Sequence, residues 1–212
     1  MVSPPVQVFL GFVAYAAVHS ALLTDTARSV LEGLLGTRRF RGVFRFGFSV
    51  LAVGSLVVYV VWVAGLPDVG WTEASGGVAW FLLLLRWGAF GYLLLCVGRF
   101  GAGEFLGWNQ FRAWRRGEAV SGDGMDAGEL VVGGPYRWVR HPMYSAGMVI
   151  LWAEPRWSAN RFAFVLAATL YLWIGSAHEE RRLARFYGEA YRRYRARTPR
   201  FIPSLWSGHK NR

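Results

Sequence analysis

The sequence is poor in the residues that staple or ligate small domains. Cysteine occurs once, at Cys96. A single cysteine closes no intrachain disulfide, and a cysteine-based metal site is excluded; no metal is expected. Lysine also occurs once, at Lys210, so 23 of the 24 basic residues are arginine, a usage that fits a GC-rich genome. Acidic residues number only 13, which leaves a net charge of +11. No repeat or low-complexity tract is present. No basic stretch precedes the first apolar run, "MVSPPVQVFLGFVAYAAVHS", so that run reads as a retained span and not as a cleaved leader.

What the chain has in quantity is apolar residues, 54% of its 212, gathered in blocks of membrane-spanning length. The blocks cover residues 6–23, 43–66, 78–98 (interrupted by Arg86), 143–153 and 162–176. The last two are short, are joined by "AEPRWSAN", and predict a tight helical hairpin led by Pro142, a residue suited to a first helical turn. The glycine-rich "GEAVSGDGMDAGEL" reads as a loop. Excess positive charge invites a nucleic-acid reading, but the arginines fall between the apolar blocks, and no nucleic-acid partner is expected. Arg28, Arg38, Arg39 and Arg41 fill the first connection, while Asp68 and Glu73 are the charges of the second. Arg112, Arg115, Arg116 and Arg137 lie in the third, and the tail is crowded with arginine. This alternation predicts a multi-pass inner or plasma membrane protein with its N-terminus outside and its C-terminus in the cytoplasm. The expected fold is all-α and integral to the membrane, with about five transmembrane helices, a C-terminal helical hairpin and a cytoplasmic cofactor pocket. Residues 1–100 form a three-span N-terminal region. Residues 101–212 form a catalytic region of cytoplasmic loop, hairpin and cytoplasmic C-terminal helix.

Two polar clusters lie on the expected cytoplasmic side. The first is "GGPYRWVRHPMYSAG", residues 133–147. A helix starting at Pro142 points its positive dipole end toward the loop, where Arg140 and His141 add donors for an anion. The second is "HEERRLARFYGEAYRRYRARTPRFIP", residues 178–203, which puts Glu179 and Glu180 at the membrane boundary. A hairpin makes these ends neighbours, with His141 and Tyr144 near Glu179 and Glu180. An amphoteric ligand suits such a pocket, and aromatic faces favour a sulfonium or ammonium centre. Each cluster alone also has a plainer reading. "RHP" is a capped helix start, "EERR" a surface run of ion pairs, and Tyr191 and Tyr194 an interfacial aromatic belt. His19 reads as a hydrogen-bonded histidine of the first span. Arg86 either snorkels or marks a cavity.

"GPYRWVRHPMYSAG" followed by "EERRLARFYGEAYRRYRARTPRFIP" resembles the C-terminal signature of the integral membrane methyltransferases. These include the isoprenylcysteine carboxyl methyltransferases and the phospholipid methyltransferases. "HSALL" and "LWAEPRWSANRFAFVLAATLYLWIG" further resemble the bacterial branch of methanethiol S-methyltransferases and NnrU-like proteins, whereas "GAGEFLGWNQF" follows its pattern only loosely. The resemblance implies S-adenosyl-L-methionine as cofactor, contacted by Tyr136, Arg140, His141, Pro142, Tyr144 and Glu179. It implies Glu180 beside the methyl-transfer site and Arg197 orienting the acceptor, with Arg140 as a second catalytic arginine. A thiol acceptor must ionise, which Arg197 or Arg140 favours. An amine acceptor needs a base, for which Glu180 is the candidate. The partners implied are a small-molecule or lipid methyl acceptor and membrane lipids. Two rivals remain open. One is an NADPH-dependent reductase of the sterol-reductase type, which carries a similar "RHPxYxG" element. The other is a non-enzymatic NnrU-like accessory protein.

Overall fold

A computed structural model describes residues 2–120 and 130–203; most of the glycine-rich segment read as a loop lies outside them. The described chain is built from helices. In order they are α1 (Pro4–Leu22), α2 (Asp25–Leu35), α3 (Thr37–Ala64), α4 (Gly76–Phe100), α5 (Ala102–Leu106), α6 (Trp108–Arg115), α7 (Pro142–Trp152), α8 (Ala159–Tyr187) and α9 (Glu189–Arg197). A 3₁₀ turn, Gly134–Arg137, precedes α7. Two short strands, β1 (Gly70–Glu73) and β2 (Arg156–Ser158), pair antiparallel.

Local chemistry accounts for the boundaries. Pro4 and Pro5 occupy the first turn of α1, where a missing N–H is harmless. Thr24 caps α2, its hydroxyl accepting from the Ala27 amide at 3.3 Å. Gly107, at φ +79°, separates α5 from α6, and a Cβ there would fall on the backbone nitrogen of Phe46, so only glycine fits.

Among the described residues, four helices are long and apolar enough to cross a membrane: Pro4–Leu22, Thr37–Ala64, Gly76–Arg99 and Ala159–Tyr187. They correspond to four of the five expected spans. The remaining one is α7, an 11-residue helix. At 1.5 Å per residue it reaches about 16 Å, roughly half of a 30 Å hydrocarbon core. Pro155 stops the helix from continuing, and the chain turns extended as β2 before α8 begins. Extended backbone outside a helix needs partners for its polar groups. The ladder supplies them, register Gly70↔Ser158 and Glu73↔Arg156, and the Ala74 amide adds a 2.8 Å bond to the Pro155 carbonyl. The sequence reading foresaw only loops at both strands, because four and three residues are too few to show a period.

The described residues divide into two units. The first draws on the described residues among 1–73, 97–128 and 156–168. Its centre is Phe12, whose ring lies 5.6 Å from Tyr15, 5.8 Å from Tyr59 and 5.5 Å from Phe164. The Tyr59 hydroxyl donates to the Val8 carbonyl at 2.9 Å, tying α3 to α1. His19 stacks loosely between Tyr15 and Phe48, at 5.8 and 4.6 Å. A cavity of about 390 Å³ between α1 and α3 is walled by Tyr15, His19, Tyr59, Trp62 and aliphatic side chains. It has no carboxylate or guanidinium and offers no charged chemistry.

The second unit draws on the described residues among 74–96, 129–155 and 169–212. It holds α7, α9, most of α4 and the C-terminal two thirds of α8. Its core includes Cys96, Val139, Pro142, Ala146 and Tyr191. Arg86, left open by the sequence, donates from Nη1 to Glu154, a buried carboxylate just past α7. Both halves of the pair lie in apolar surroundings, where a charge needs a partner.

Candidate active site

The site grows from the start of α7. Gly134, at φ +60°, and Pro135 shape the turn that tucks the Tyr136 ring inside. Beyond it, residues 199–201 run alongside the helix start. The Arg140 amide donates to the Pro199 carbonyl at 2.8 Å and the His141 amide to the Arg200 carbonyl at 3.1 Å. The Ser145 hydroxyl donates to the Phe201 carbonyl at 2.7 Å. Pro142, buried at the first helical position, has no N–H. The two amides that flank the helix start are thus bonded to the chain's own carbonyls.

Glu179 and Glu180 leave α8 opposite this point, in unlike surroundings. The Glu180 side chain is 6% exposed. Its Oε1 accepts from Arg140 Nε at 2.9 Å and Nη2 at 2.7 Å, and lies 3.1 Å from His141 Nε2 and 3.4 Å from Arg200 Nε. Arg195 Nε approaches Oε2 at 3.8 Å. Arg140 also donates from Nη1 to the Arg195 and Thr198 carbonyls. Arg140 and Glu180 thus form a clasp that joins α7, α8 and the tail. A carboxylate held by two guanidinium groups and an imidazole is a weak base, so the base role considered for Glu180 has little support in the geometry.

Glu179 is the available carboxylate, with 39% of its side chain exposed. The Tyr144 hydroxyl donates to its Oε2 at 2.8 Å, and His141 Nδ1 lies 3.7 Å away. The His141 and Tyr144 rings stack at 5.3 Å and 6°. Burial holds the His141 imidazole below its ordinary 6.5, against the opposing pull of Glu179 and Glu180. It is therefore neutral at pH 7, and its contact with Glu180 assigns the proton to Nε2.

Of the residues selected from sequence, Tyr136, Arg140, His141, Pro142, Tyr144, Glu179 and Glu180 come together. Arg197 does not: it is exposed at the end of α9, and among the described residues no hydrogen bond or ion pair of the site uses it. Arg200 stands beside Glu180 instead. The aromatic-belt reading of two tyrosines is also corrected. Tyr191 is 1% exposed, and the Tyr194 hydroxyl donates to the Tyr136 carbonyl at 2.6 Å. Burial pushes both phenols up to about 12, so they stay neutral. They pack α9 onto the site because its other face carries Arg192, Arg193 and Arg197. Sequence reasoning also missed Arg200, Trp173 and Phe201. Their one signal was the short spacing of Pro199, Arg200 and Phe201 after a helix end.

Residues 87–190 match the family model described as phospholipid methyltransferase. The chain is 33% identical over 156 residues to a methanethiol S-methyltransferase of Mycobacterium tuberculosis, covering 72% of this chain and 60% of that one. It is 31% identical over 144 residues to methanethiol S-methyltransferase 2 of Bradyrhizobium diazoefficiens, covering 67% and 52%. It is 31% identical over 158 residues to a methanethiol S-methyltransferase of Pseudomonas deceptionensis, covering 74% and 58%. The chain thus spans between half and three fifths of the length of these relatives. No solved structure matches it. The hairpin and its two glutamates lie within residues 87–190, the stretch in which the chain is similar to the phospholipid methyltransferase family.

Proposed function

We propose that the chain is an S-adenosyl-L-methionine-dependent membrane methyltransferase acting on a small thiol. One observation carries this reading. The facing ends of α7 and α8 set an exposed carboxylate, Glu179, against the stacked rings of Tyr144 and His141. An amphoteric cation fits that donor set: a carboxylate for its positive charge, aromatic faces for a sulfonium, and a neutral imidazole that adds no repulsion. When bound, the donor supplies an electrophilic methyl group on a sulfonium sulfur.

The chain's own residues do the positioning. Tyr144 orients Glu179, the Arg140–Glu180 clasp holds the two helices and the tail together, and Tyr136 and Tyr191 exclude water from beneath. Alignment of donor and acceptor is the main thing a protein contributes to such a displacement. The names of the matched relatives support a small thiol as acceptor; a lipid amine or a prenylated carboxylate is the alternative. The arginine-rich connections support a cytoplasmic site, reached by the polar donor from water and by a lipophilic acceptor from the bilayer. On this reading residues 101–212 do the chemistry and the three preceding spans anchor them.

Isothermal titration of the purified protein with S-adenosylhomocysteine is the test. Wild type is expected to bind, and His141→Ala and Glu179→Ala to bind at least tenfold more weakly. NADPH in place of S-adenosylhomocysteine is expected to give no signal. Binding of NADPH alone would make the reductase reading the better one. Binding of neither ligand would favour an accessory protein.

A further inference from the structure

We propose that Arg200, set beside the Trp173 and Phe201 rings, is the seat of the methyl acceptor and holds it as a thiolate. This deepens the methyltransferase reading and rests on it. Three guanidinium groups approach Glu180, and they are not equivalent. Arg140 is committed to Glu180 and to two carbonyls. Arg195 stands off at 3.8 Å with 58% of its side chain in solvent. Arg200 is 22% exposed, its Nε 3.4 Å from Glu180 Oε1, and among the described residues neither of its Nη groups has a hydrogen bond.

Its position is firmly held. Its carbonyl accepts from the His141 amide, and the carbonyls on either side of it accept from the Arg140 amide and the Ser145 hydroxyl. Its guanidinium carbon lies 5.4 Å from the ring centroids of both Trp173 and Phe201. A fork of unused donors beside a contacting pair of aromatic rings, themselves 5.4 Å apart, suits an anion with an apolar body. Arginine does not give up its proton to such a guest.

The charges point the same way. Arg140 and Arg200 face one buried carboxylate, Glu180, so this side of the site carries an excess positive charge that an anionic guest neutralises. At the Nδ1 end of the same imidazole, Glu179 is the half-exposed negative group. His141 links them, with Nδ1 3.7 Å from Glu179 and Nε2 3.1 Å from Glu180. One side thus suits a sulfonium and the other a thiolate. In the reaction the thiol proton leaves to water and the thiolate sulfur bonds to the methyl carbon. The sulfonium–carbon bond breaks, and both charges vanish as a thioether and S-adenosylhomocysteine form. An alkylamine finds no base here and meets like charge when protonated.

The experiment uses full-length protein saturated with S-adenosylhomocysteine, which cannot turn over. 1-Propanethiol is titrated into it between pH 6.5 and 9.5, with propylamine as the control. Wild type is expected to bind the thiol more tightly as pH rises, and propylamine not at all. Arg200→Gln is expected to weaken thiol binding at least tenfold above pH 8 and to flatten its pH dependence, with S-adenosylhomocysteine affinity within threefold of wild type. Arg200→Lys restores part of the effect, and carries the test if the glutamine variant does not fold. In turnover, the pH midpoint of kcat/KM moves upward in Arg200→Gln. Unchanged thiol affinity and pH dependence in variants that still bind S-adenosylhomocysteine overturns the acceptor seat alone. Tighter binding of propylamine than of the thiol overturns it too. A wild type that fails to bind S-adenosylhomocysteine takes down the methyltransferase reading and the seat together.

Discussion

Replacing Arg140 with alanine removes four hydrogen bonds at once, two to Glu180 and two to the carbonyls of Arg195 and Thr198. It leaves a carboxylate that is 6% exposed without its main partner. Breaking a buried ion pair from one side costs about 3–5 kcal/mol. His141 and Arg200 remain beside Glu180, which places the expected loss near the lower end, about 3 kcal/mol. At roughly 2–4 °C per kcal/mol for a chain of this size, the midpoint of thermal unfolding in detergent falls by about 6–12 °C. Glu180→Gln strands Arg140 in the same apolar setting and costs a similar amount. If the two residues act as one clasp, the double variant is less destabilised than the sum of the singles by about 1–3 kcal/mol. Thermal scans of the four proteins in one detergent measure this. A shift under about 2 °C for Arg140→Ala, or strictly additive losses, would refute the clasp.

Tyr144→Phe deletes the donor to Glu179, and about 1 kcal/mol of lost orientation weakens S-adenosylhomocysteine binding roughly fivefold by calorimetry; unaltered affinity would separate Tyr144 from the donor site. His141 has a folded-state pKa below 6.5, so the unfolded chain takes up the proton first as pH falls. Its contribution is therefore complete above 6.5 and declines below it, and wild type should lose more thermal stability than His141→Asn between pH 7 and pH 5. Parallel curves would exclude this account. Arg86→Leu leaves the buried Glu154 carboxylate without its guanidinium and costs about 3–5 kcal/mol, while Arg86→Leu combined with Glu154→Leu recovers most of it. No recovery in thermal scans of the double variant would show that Glu154 is held mainly by other groups.

Apolar block length by itself determined the membrane class, because about 20 residues in a row without charge have few other stable settings. The shortness of residues 143–153 likewise announced a helix too short to cross, and Pro142 its start, whereas the block read as 162–176 belongs to a 29-residue helix, Ala159–Tyr187, long enough to span. Polar residues at the ends of apolar runs are conspicuous, which is why His141, Tyr144, Glu179 and Glu180 stood out. Tertiary structure alone decided which partners each of them meets. Arg140 and Glu180 are 40 residues apart, and nothing local in either segment tells a clasp from two free charges. Glu179 and Glu180 are adjacent and chemically alike, yet one is exposed and the other enclosed, because successive helical positions point about 100° apart. A departure from the helix separates Arg197 from Arg200. Thr198 leaves the helix in an extended conformation, φ −118° and ψ 124°, so Arg197 stays on the outer face of α9 while the chain carries Arg200 back to Glu180. Pairings across that separation depend on which faces pack, and packing is a property of the folded chain.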